Sequence, residues 1–359
     1  MPILVLKSIN RCNAGCIYCF SDKTGQLKKP GSSFITNLFI KIRQYLEAQS
    51  DQNIEIQWHG GEPLLLGKKF YGRLNTIQSE ICAGLSGRIS HSFQSNLTLL
   101  TREYLEVIQQ LNLKNIGTSV DPDITMRKLK GKGESGLYLH KLLRSICLLE
   151  EKRIEYGMNY VVTANSFKDP EEIFYYLTNI NLKGTISVNP VFIKNAGLHK
   201  LVVTPAEFAG FLTMTYPYWW KNRNRFNSIE PYRTITSSAE YILGNSKPDK
   251  KLNDIPVIID MEGFYYHFKK PAYKLGNFFN DSIDEMVQKT KNSHEKLIRK
   301  LSDVRLCHNC NLWPFCYANT NMDAFSQNDE LSDNSWCLAR KSFIREYIIP
   351  FLNKNNEAA

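Results

Sequence analysis

Residues 3–19, ILVLKSINRCNAGCIYC, place a short apolar run just ahead of three cysteines at positions 12, 16 and 19. The run is rich in Ile, Val and Leu, the composition of a buried strand. The loop after it gathers three of the chain's nine cysteines within eight positions. Three thiolates fall one short of a closed tetrahedral zinc site, and no histidine lies close in sequence to supply the fourth ligand. They suffice to hold three irons of a 4Fe–4S cluster and leave the fourth iron open.

Working outward, strand-like runs recur at 54–60 (IEIQWHG), 90–96 (SHSFQSN), 115–121 (NIGTSVD), 155–164 (EYGMNYVVTA) and 185–192 (TISVNPVF). Segments of helical period lie between them. In SGLYLHKLLRSICLLEE, Leu139, Leu142, Leu143, Ile146 and Leu149 form one stripe. Six strands alternating with helices predict a parallel sheet with right-handed crossovers, an α/β partial (β/α)6 barrel. In such folds the chemistry gathers at the C-terminal ends of the strands. Past about residue 195 the alternation stops. Residues 204–224 read as a helix and 257–268 (VIIDMEGFYYHF) as a hairpin turning near Glu262–Gly263. A polar helix follows over 282–305, then a cysteine-bearing loop and a closing helix. The expected division is a barrel over 1–200, a helical connection over 201–255 and a C-terminal domain over 256–359.

Hydrophobic and aromatic contents of 43% and 12% exclude a disordered chain of 359 residues. No apolar run is long enough to cross a bilayer and the first residues lack a signal peptide's regions, so a cytoplasmic protein without a membrane partner is expected. In that compartment the cysteines read as reduced thiols or metal ligands rather than disulfides. The net charge of +10 is scattered, which predicts a basic solvated surface and no nucleic-acid partner.

The CxxxCxxC spacing, with Tyr18 before the last cysteine on the loop after a first strand, resembles the radical S-adenosylmethionine (SAM) enzymes. HGGEP (59–63), at the end of the second strand, resembles that family's GGEP motif. The resemblance implies that Gly60, Gly61 and Glu62 contact the methionyl ammonium of SAM. It places Ser119, of SVD at the end of the fourth strand, on the SAM ribose or carboxylate, and aims Arg144 at the carboxylate. SNLTLL (95–100) departs from the family's TNG pattern because Leu97 replaces the glycine. Asn96 and, at the sixth strand, Asn189 are the remaining cofactor candidates; His59 and Tyr18 are candidates to line the pocket. The implied chemistry is one-electron cleavage of SAM to a 5′-deoxyadenosyl radical that takes hydrogen from an unactivated C–H bond. A flavodoxin or ferredoxin would donate the electron.

A second group, CHNCNLWPFC (307–316) followed by Cys337, fits a zinc site or an iron–sulfur cluster by spacing alone. Together with an Asp-x-x-Gly turn (Asp260, Gly263) and the LGN element at 275–277, it resembles the SPASM/twitch-like extension that carries auxiliary clusters in peptide-modifying enzymes. Cys307, Cys310, Cys316 and Cys337 would then ligate one auxiliary 4Fe–4S cluster. Where two-cluster members carry further cysteines, this chain has His267 and Phe268, Asp281, and Thr320. Cys82 and Cys147, on helical segments among apolar residues, are expected in the core.

This pattern most resembles maturases of ribosomally made peptides that install C–C (cyclophane) or thioether crosslinks in a precursor peptide. Formylglycine formation as in anaerobic sulfatase maturases, peptide epimerisation or decarboxylation, and a zinc or iron–sulfur RNA-binding protein are the alternatives. The short lead before the first strand leaves no room for a peptide-recognition domain there. Leader recognition is therefore expected to use the barrel, the second region or a separate protein. YPYWWKNRNRF (216–226) mixes aromatics and bases, but Phe208, Phe211, Tyr216 and Trp219 recur at helical spacing and predict a packing stripe.

Overall fold

Strands and helices alternate from the N-terminus: β1 (Ile3–Ile9), α1 (Ser32–Ala48), β2 (Ile54–Gly60), α2 (Lys68–Ile81), β3 (Ile89–Gln94), α3 (Arg102–Gln109), β4 (Leu113–Ser119) and α4 (Ser135–Glu151). The alternation continues through β5 (Tyr156–Val162), α5 (Pro170–Ile180), β6 (Thr185–Pro190), α6 (Pro205–Asn222), β7 (Ser228–Glu230) and α7 (Tyr232–Ile242). Then come β8 (Val257–Ile259), β9 (Phe264–His267), β10 (Lys270–Asn277), α8 (Ile283–Val304), the short α9 (Trp313–Cys316), α10 (Ser335–Ser342), a π-helical turn at Phe343–Ile348, and α11 (Ile349–Asn356). This computed structural model describes residues 1–19, 26–121, 123–131, 135–180, 184–191, 196–225, 228–247, 255–267, 270–304, 307–316 and 334–356. Phe268 and Thr320 lie outside the described residues.

The chain forms two compact units. The first comprises Met1–Ser119, Asp123–Tyr156 and Asp254–His294; the second comprises Val120–Pro122, Gly157–Asn253 and Glu295–Ala359. In the first, the strands run in the order β10-β9-β8-β1-β2-β3-β4. Strands β1 to β4 are parallel, as the alternating pattern predicts, and β8 pairs parallel with the free side of β1. β1 is thus covered by a neighbour on each edge, and Leu4 and Leu6 are wholly buried. That setting accounts for its nearly unbroken apolar sequence. By the same pairing β8, β9 and β10, at the start of the expected 256–359 segment, extend the first sheet. The predicted hairpin is present between β8 and β9. Asp260 Oδ1 accepts from the backbone N–H of Glu262 and of Phe264 across its turn, and Gly263 takes φ +86° there.

Helices of the first unit bury the stripes their periods predict. On α1, Phe34, Ile35, Leu38, Phe39, Ile42, Tyr45 and Leu46 face inward. On α4 the buried set is Tyr138, Leu142, Ser145, Ile146 and Leu149, with Leu139 and Leu143 half-buried. Cys147, expected in the core, is exposed. It follows Ile146, and one residue turns the side chain about 100° around a helix, here off the buried face. Cys82 is buried as expected. The core also holds a satisfied polar chain: Trp58 Nε1 donates to His91 Nδ1 at 2.9 Å and His91 Nε2 meets Gln78 at 2.8 Å. Burial drives the His91 imidazole down to about 3, so it is neutral.

In the second unit β5, β6 and β7 are parallel. Helix α6 begins with Pro205 behind a Thr204–Glu207 capping box. The packing stripe predicted on it is present, with Phe208, Phe211, Tyr216 and Trp219 all buried. Helix α7 was not legible in sequence. Its Thr and Ser residues weaken the helical signal, and in place Thr236 and Ser238 bond back to carbonyls four residues earlier. Among the described residues, no helix is long and apolar enough to cross a membrane.

Candidate iron–sulfur and cofactor site

The cysteine loop leaves β1 at its C-terminal end and meets two segments of the first unit that follow other strands. After β2, the backbone runs against residues 9–11: Gly61 N–H donates to Ile9 O (2.6 Å) and Glu62 N–H to Arg11 O (2.8 Å). Gly60 sits at φ +121°, and a Cβ there would stand 2.6 Å from Ile9 O; one on Gly61 would collide with Arg11 O. Both glycines are therefore required by the approach of this chain's own backbone to the entry of the cysteine loop. After β4, residues 126–130 pair antiparallel with the loop itself: Gly15 N–H donates to Lys128 O (2.8 Å), Ile17 N–H to Met126 O (3.0 Å) and Lys130 N–H to Asn13 O (2.8 Å).

Hydrogen-bond donors reach the thiols from the segments after β3 and β4 and from the loop itself. Asn96, after β3, donates its amide to Cys12 Sγ at 3.6 Å and to Asn13 Oδ1 at 2.9 Å. Ala14 N–H points at Cys12 Sγ (3.3 Å). Arg127 lies 3.7 Å from Cys16 Sγ. Cys12 and Cys16 are half-buried and Cys19 is exposed. Among the described residues, no three His, Cys, Asp or Glu side chains converge as a ready-made metal group. What the loop offers is three thiols within eight residues, two of them already met by hydrogen-bond donors. Soft sulfur donors suit iron–sulfur chemistry, and donors to the sulfurs tune such a cluster. The residues present fit that group.

Glu62 is 1% exposed. Its carboxylate accepts from Leu64 N–H (3.0 Å), Ser95 Oγ (2.8 Å) and Asn96 N–H (2.7 Å). Burial pushes its pKa up to about 7, against the lowering effect of those three bonds. No Lys or Arg among the described residues pairs with it. A buried carboxylate with neutral donors only is a place where a ligand's cation gains most, which suits the ammonium expected beside Glu62.

Leu97, where the resembled motif has glycine, keeps a glycine-like backbone at φ +60° with its side chain fully buried. Its carbonyl accepts from Ser145 Oγ of α4 (2.8 Å). Arg144, next to Ser145, is exposed on the outer side of that helix and stands outside this group. Ser119 ends β4, half-buried. His59 accepts from Gly60 N–H through Nδ1 (2.7 Å), and burial lowers its pKa, helped by Lys7. Asn189 belongs to the second unit and donates to Ser187 O.

Arg127 and Asn13 were missed from sequence. TMRKLK reads as a basic surface run. The usable signal was its position after the fourth strand, where its alternation buries Arg127 and Leu129 and exposes Lys128 and Lys130.

The second cysteine set lies wholly in the second unit. Cys307, Cys310 and Cys316 fall on one turn and the short α9, and Cys337 on α10. Cys307 packs with Leu297, Leu301 and Trp313. Cys316 and Cys337 are buried as well, and Arg340, one turn beyond Cys337, is 2% exposed. In the first unit, the positions departing from the two-cluster pattern hold other contacts. Asp281 accepts from Tyr265 Oη (2.6 Å) and pairs with Lys289 (2.8 Å). His267 stacks on His294 with ring centroids 5.6 Å apart.

A parallel α/β sheet with a three-cysteine loop at the C-terminal end of its first strand is the arrangement that the resemblance to SAM-cleaving iron–sulfur enzymes implies. The radical SAM superfamily model matches residues 6–123, so this part of the chain carries a radical SAM domain, the kind that uses SAM and a 4Fe–4S cluster. The chain is 23% identical over 366 residues to a cysteine-type anaerobic sulfatase-maturating enzyme of Clostridium perfringens strain 13, covering 98% of this chain and 97% of that one. Among solved structures, native anSMEcpe with bound AdoMet and Kp18Cys peptide aligns with all of both chains at TM-score 0.76 and 19% identity. Streptococcus suis SuiB bound to its precursor peptide SuiA aligns at TM-score 0.55 and 14% identity, over 92% of this chain and 74% of that one.

Proposed function

We propose that this chain is a radical SAM enzyme that oxidises a side chain of a peptide substrate. The observation that carries this reading is the end-to-end correspondence with the sulfatase-maturating enzyme, since the likeness spans nearly the whole of both chains rather than the barrel alone. SAM and the reduced cluster, held by Cys12, Cys16 and Cys19, would supply a carbon-centred oxidant for an unactivated C–H bond. The chain's own residues bind and orient. Glu62 receives the ammonium of SAM, Ser119 its ribose or carboxylate, and the Gly60–Gly61 contact fixes the cysteine loop against β2. Cys307, Cys310, Cys316 and Cys337 would hold one auxiliary cluster able to accept an electron.

Two outcomes share this first step. Conversion of Cys or Ser to formylglycine follows from the full-length likeness. Crosslinking of a ribosomally made precursor, as a cyclophane or thioether, follows from the missing ligands of a second auxiliary cluster, since Asp281 and His267 are engaged otherwise. Reconstituted protein, incubated anaerobically with SAM, a flavodoxin or ferredoxin donor and candidate peptides, distinguishes them by mass spectrometry with aldehyde trapping. A trapped aldehyde indicates formylglycine. Loss of two hydrogens without an aldehyde, with fragment ions missing between two residues, indicates a crosslink. SAM-dependent 5′-deoxyadenosine formation with no change in any peptide tested from either class would count against a peptide substrate.

A further inference from the structure

The turn after β3, residues 95–98, touches both the buried carboxylate and the cysteine loop. Asn96 N–H donates to Glu62 Oε2 (2.7 Å), and its side-chain amide donates to Cys12 Sγ (3.6 Å). Three short bonds close a ring around that amide. Asn96 Nδ2 donates to Asn13 Oδ1 (2.9 Å), Asn13 Nδ2 to Thr98 Oγ1 (2.8 Å), and Thr98 Oγ1 to Asn96 Oδ1 (2.7 Å). Thr98 N–H adds a second bond to Asn96 Oδ1 (3.0 Å). A backbone N–H can only donate, so the oxygen end of the Asn96 amide is fixed and its NH2 end must face Cys12. Both amide hydrogens and both oxygen lone pairs are thereby engaged, which leaves the side chain none with which to hold SAM directly. The turn itself is anchored, with Leu97 wholly buried and Thr98 buried beside it.

We propose that Asn96 is a positioning residue rather than a SAM contact. Its backbone fixes Glu62, while its amide, oriented by Asn13 and Thr98, holds Cys12 Sγ in ligating form and raises the reduction potential of the cluster. The physical reason is the charge that arrives on reduction. A cluster held by three thiolates becomes more negative, and an N–H already aimed at a ligating sulfur favours that state. A closed ring of bonds keeps the donor in place more firmly than a single bond would. Because one residue carries both bonds, the carboxylate that receives the ammonium and the first cluster ligand keep a set separation. The proposal rests on the reading of Cys12, Cys16 and Cys19 as cluster ligands and of Glu62 as the ammonium site.

The test uses the full chain, reconstituted anaerobically, as wild type, Asn96→Asp, Thr98→Val and Thr98→Ser. The EPR signal that shifts on adding SAM is followed through a potentiometric titration, and iron per chain is counted after exposure to a chelator. Asn96→Asp keeps the side chain's size and the backbone bond to Glu62 but turns an acceptor toward Cys12 Sγ. It is expected to lower the midpoint by an amount equal to at least a tenfold loss in the reduction equilibrium, 59 mV for one electron. It is also expected to shed iron faster. Thr98→Val adds no charge and keeps the side chain's shape, removing only the hydroxyl that orients both amides. Its midpoint is expected to fall too, by less, while Thr98→Ser keeps the hydroxyl and the wild-type midpoint. A wild-type midpoint in Asn96→Asp overturns the proposal. Should Asn96→Asp not fold or not take up iron, Thr98→Val decides. A lowered midpoint that is restored in Thr98→Ser upholds the proposal; a wild-type midpoint, or a fall that Thr98→Ser shares in full, overturns it. A wild-type protein with no SAM-responsive signal instead overturns the ligand reading on which it stands.

Discussion

Leu97 shows how one residue departs from its family's pattern without moving the backbone. At φ +60° it occupies the left-handed region, which costs a side chain about 1–2 kcal/mol. Its side chain is wholly buried, and losing a buried leucine costs about 2–5 kcal/mol. Burial wins, so Leu97→Gly is expected to destabilise the protein by about 1–3 kcal/mol in denaturant unfolding despite restoring the family's residue. A stabilised variant would mean that strain dominates. Glu62 yields a second prediction. Its folded-state pKa of about 7 lies above its ordinary 4.5. Its contribution is therefore complete below pH 4.5 and is lost as pH rises through 7, at no more than about 1.4 kcal/mol per pH unit. SAM's ammonium should reverse that penalty, so SAM affinity is expected to strengthen from pH 6 to 7.5. Glu62→Gln should flatten both dependences, as read by thermal shift and calorimetry. A wild-type pH profile for SAM binding in that variant would place the ammonium elsewhere.

At the scale of elements, the first four strands and helices were legible because each carries one clear period. The cysteine loop was legible because its spacing is chemically restrictive. The joining of β8 to β1 was not, since a three-residue strand carries no register information of its own. Nor was Cys147's exposure, because an apolar neighbourhood in sequence spans more than one face of a helix. The candidate site divides along the same line. Glu62 and the glycines announce themselves by motif, whereas Arg127 and Asn13 act through strand-like pairing between segments more than a hundred residues apart. The β9–β10 ribbon makes a further case. It is fastened to the start of α8 by Asp281, which accepts from Tyr265 and pairs with Lys289. Burial alone would raise the Asp281 pKa, but the bonds from Lys289 and Tyr265 outweigh it and hold the carboxyl below its ordinary 3.8. The stabilisation is therefore present above pH 3.8 and disappears as acid protonates the group below it. Asp281→Asn is expected to lower stability by about 1–3 kcal/mol at neutral pH and to open β9 and β10 to hydrogen exchange. Equal stability and equal protection would show that the ribbon is held by its apolar contacts alone.

For the whole molecule, the decisive feature is that each cysteine group is contained within one compact unit. Cys12, Cys16 and Cys19 belong to the first; Cys307, Cys310, Cys316 and Cys337 belong to the second. Metal binding stabilises the fold that holds its ligands, so a group drawn from a single unit should load without help from the other. Wild-type protein reconstituted anaerobically is accordingly expected to carry about eight irons, the sum of two four-iron clusters. Replacing the first three cysteines by alanine should leave about four irons and abolish 5′-deoxyadenosine formation. Replacing the later four should also leave about four, with SAM binding and its spectroscopic signature kept while turnover of a peptide falls. The two losses should add. If removing either group empties both, the clusters load as one cooperative unit, and zinc retained by the later four cysteines would make that group a structural clasp instead of a path for electrons.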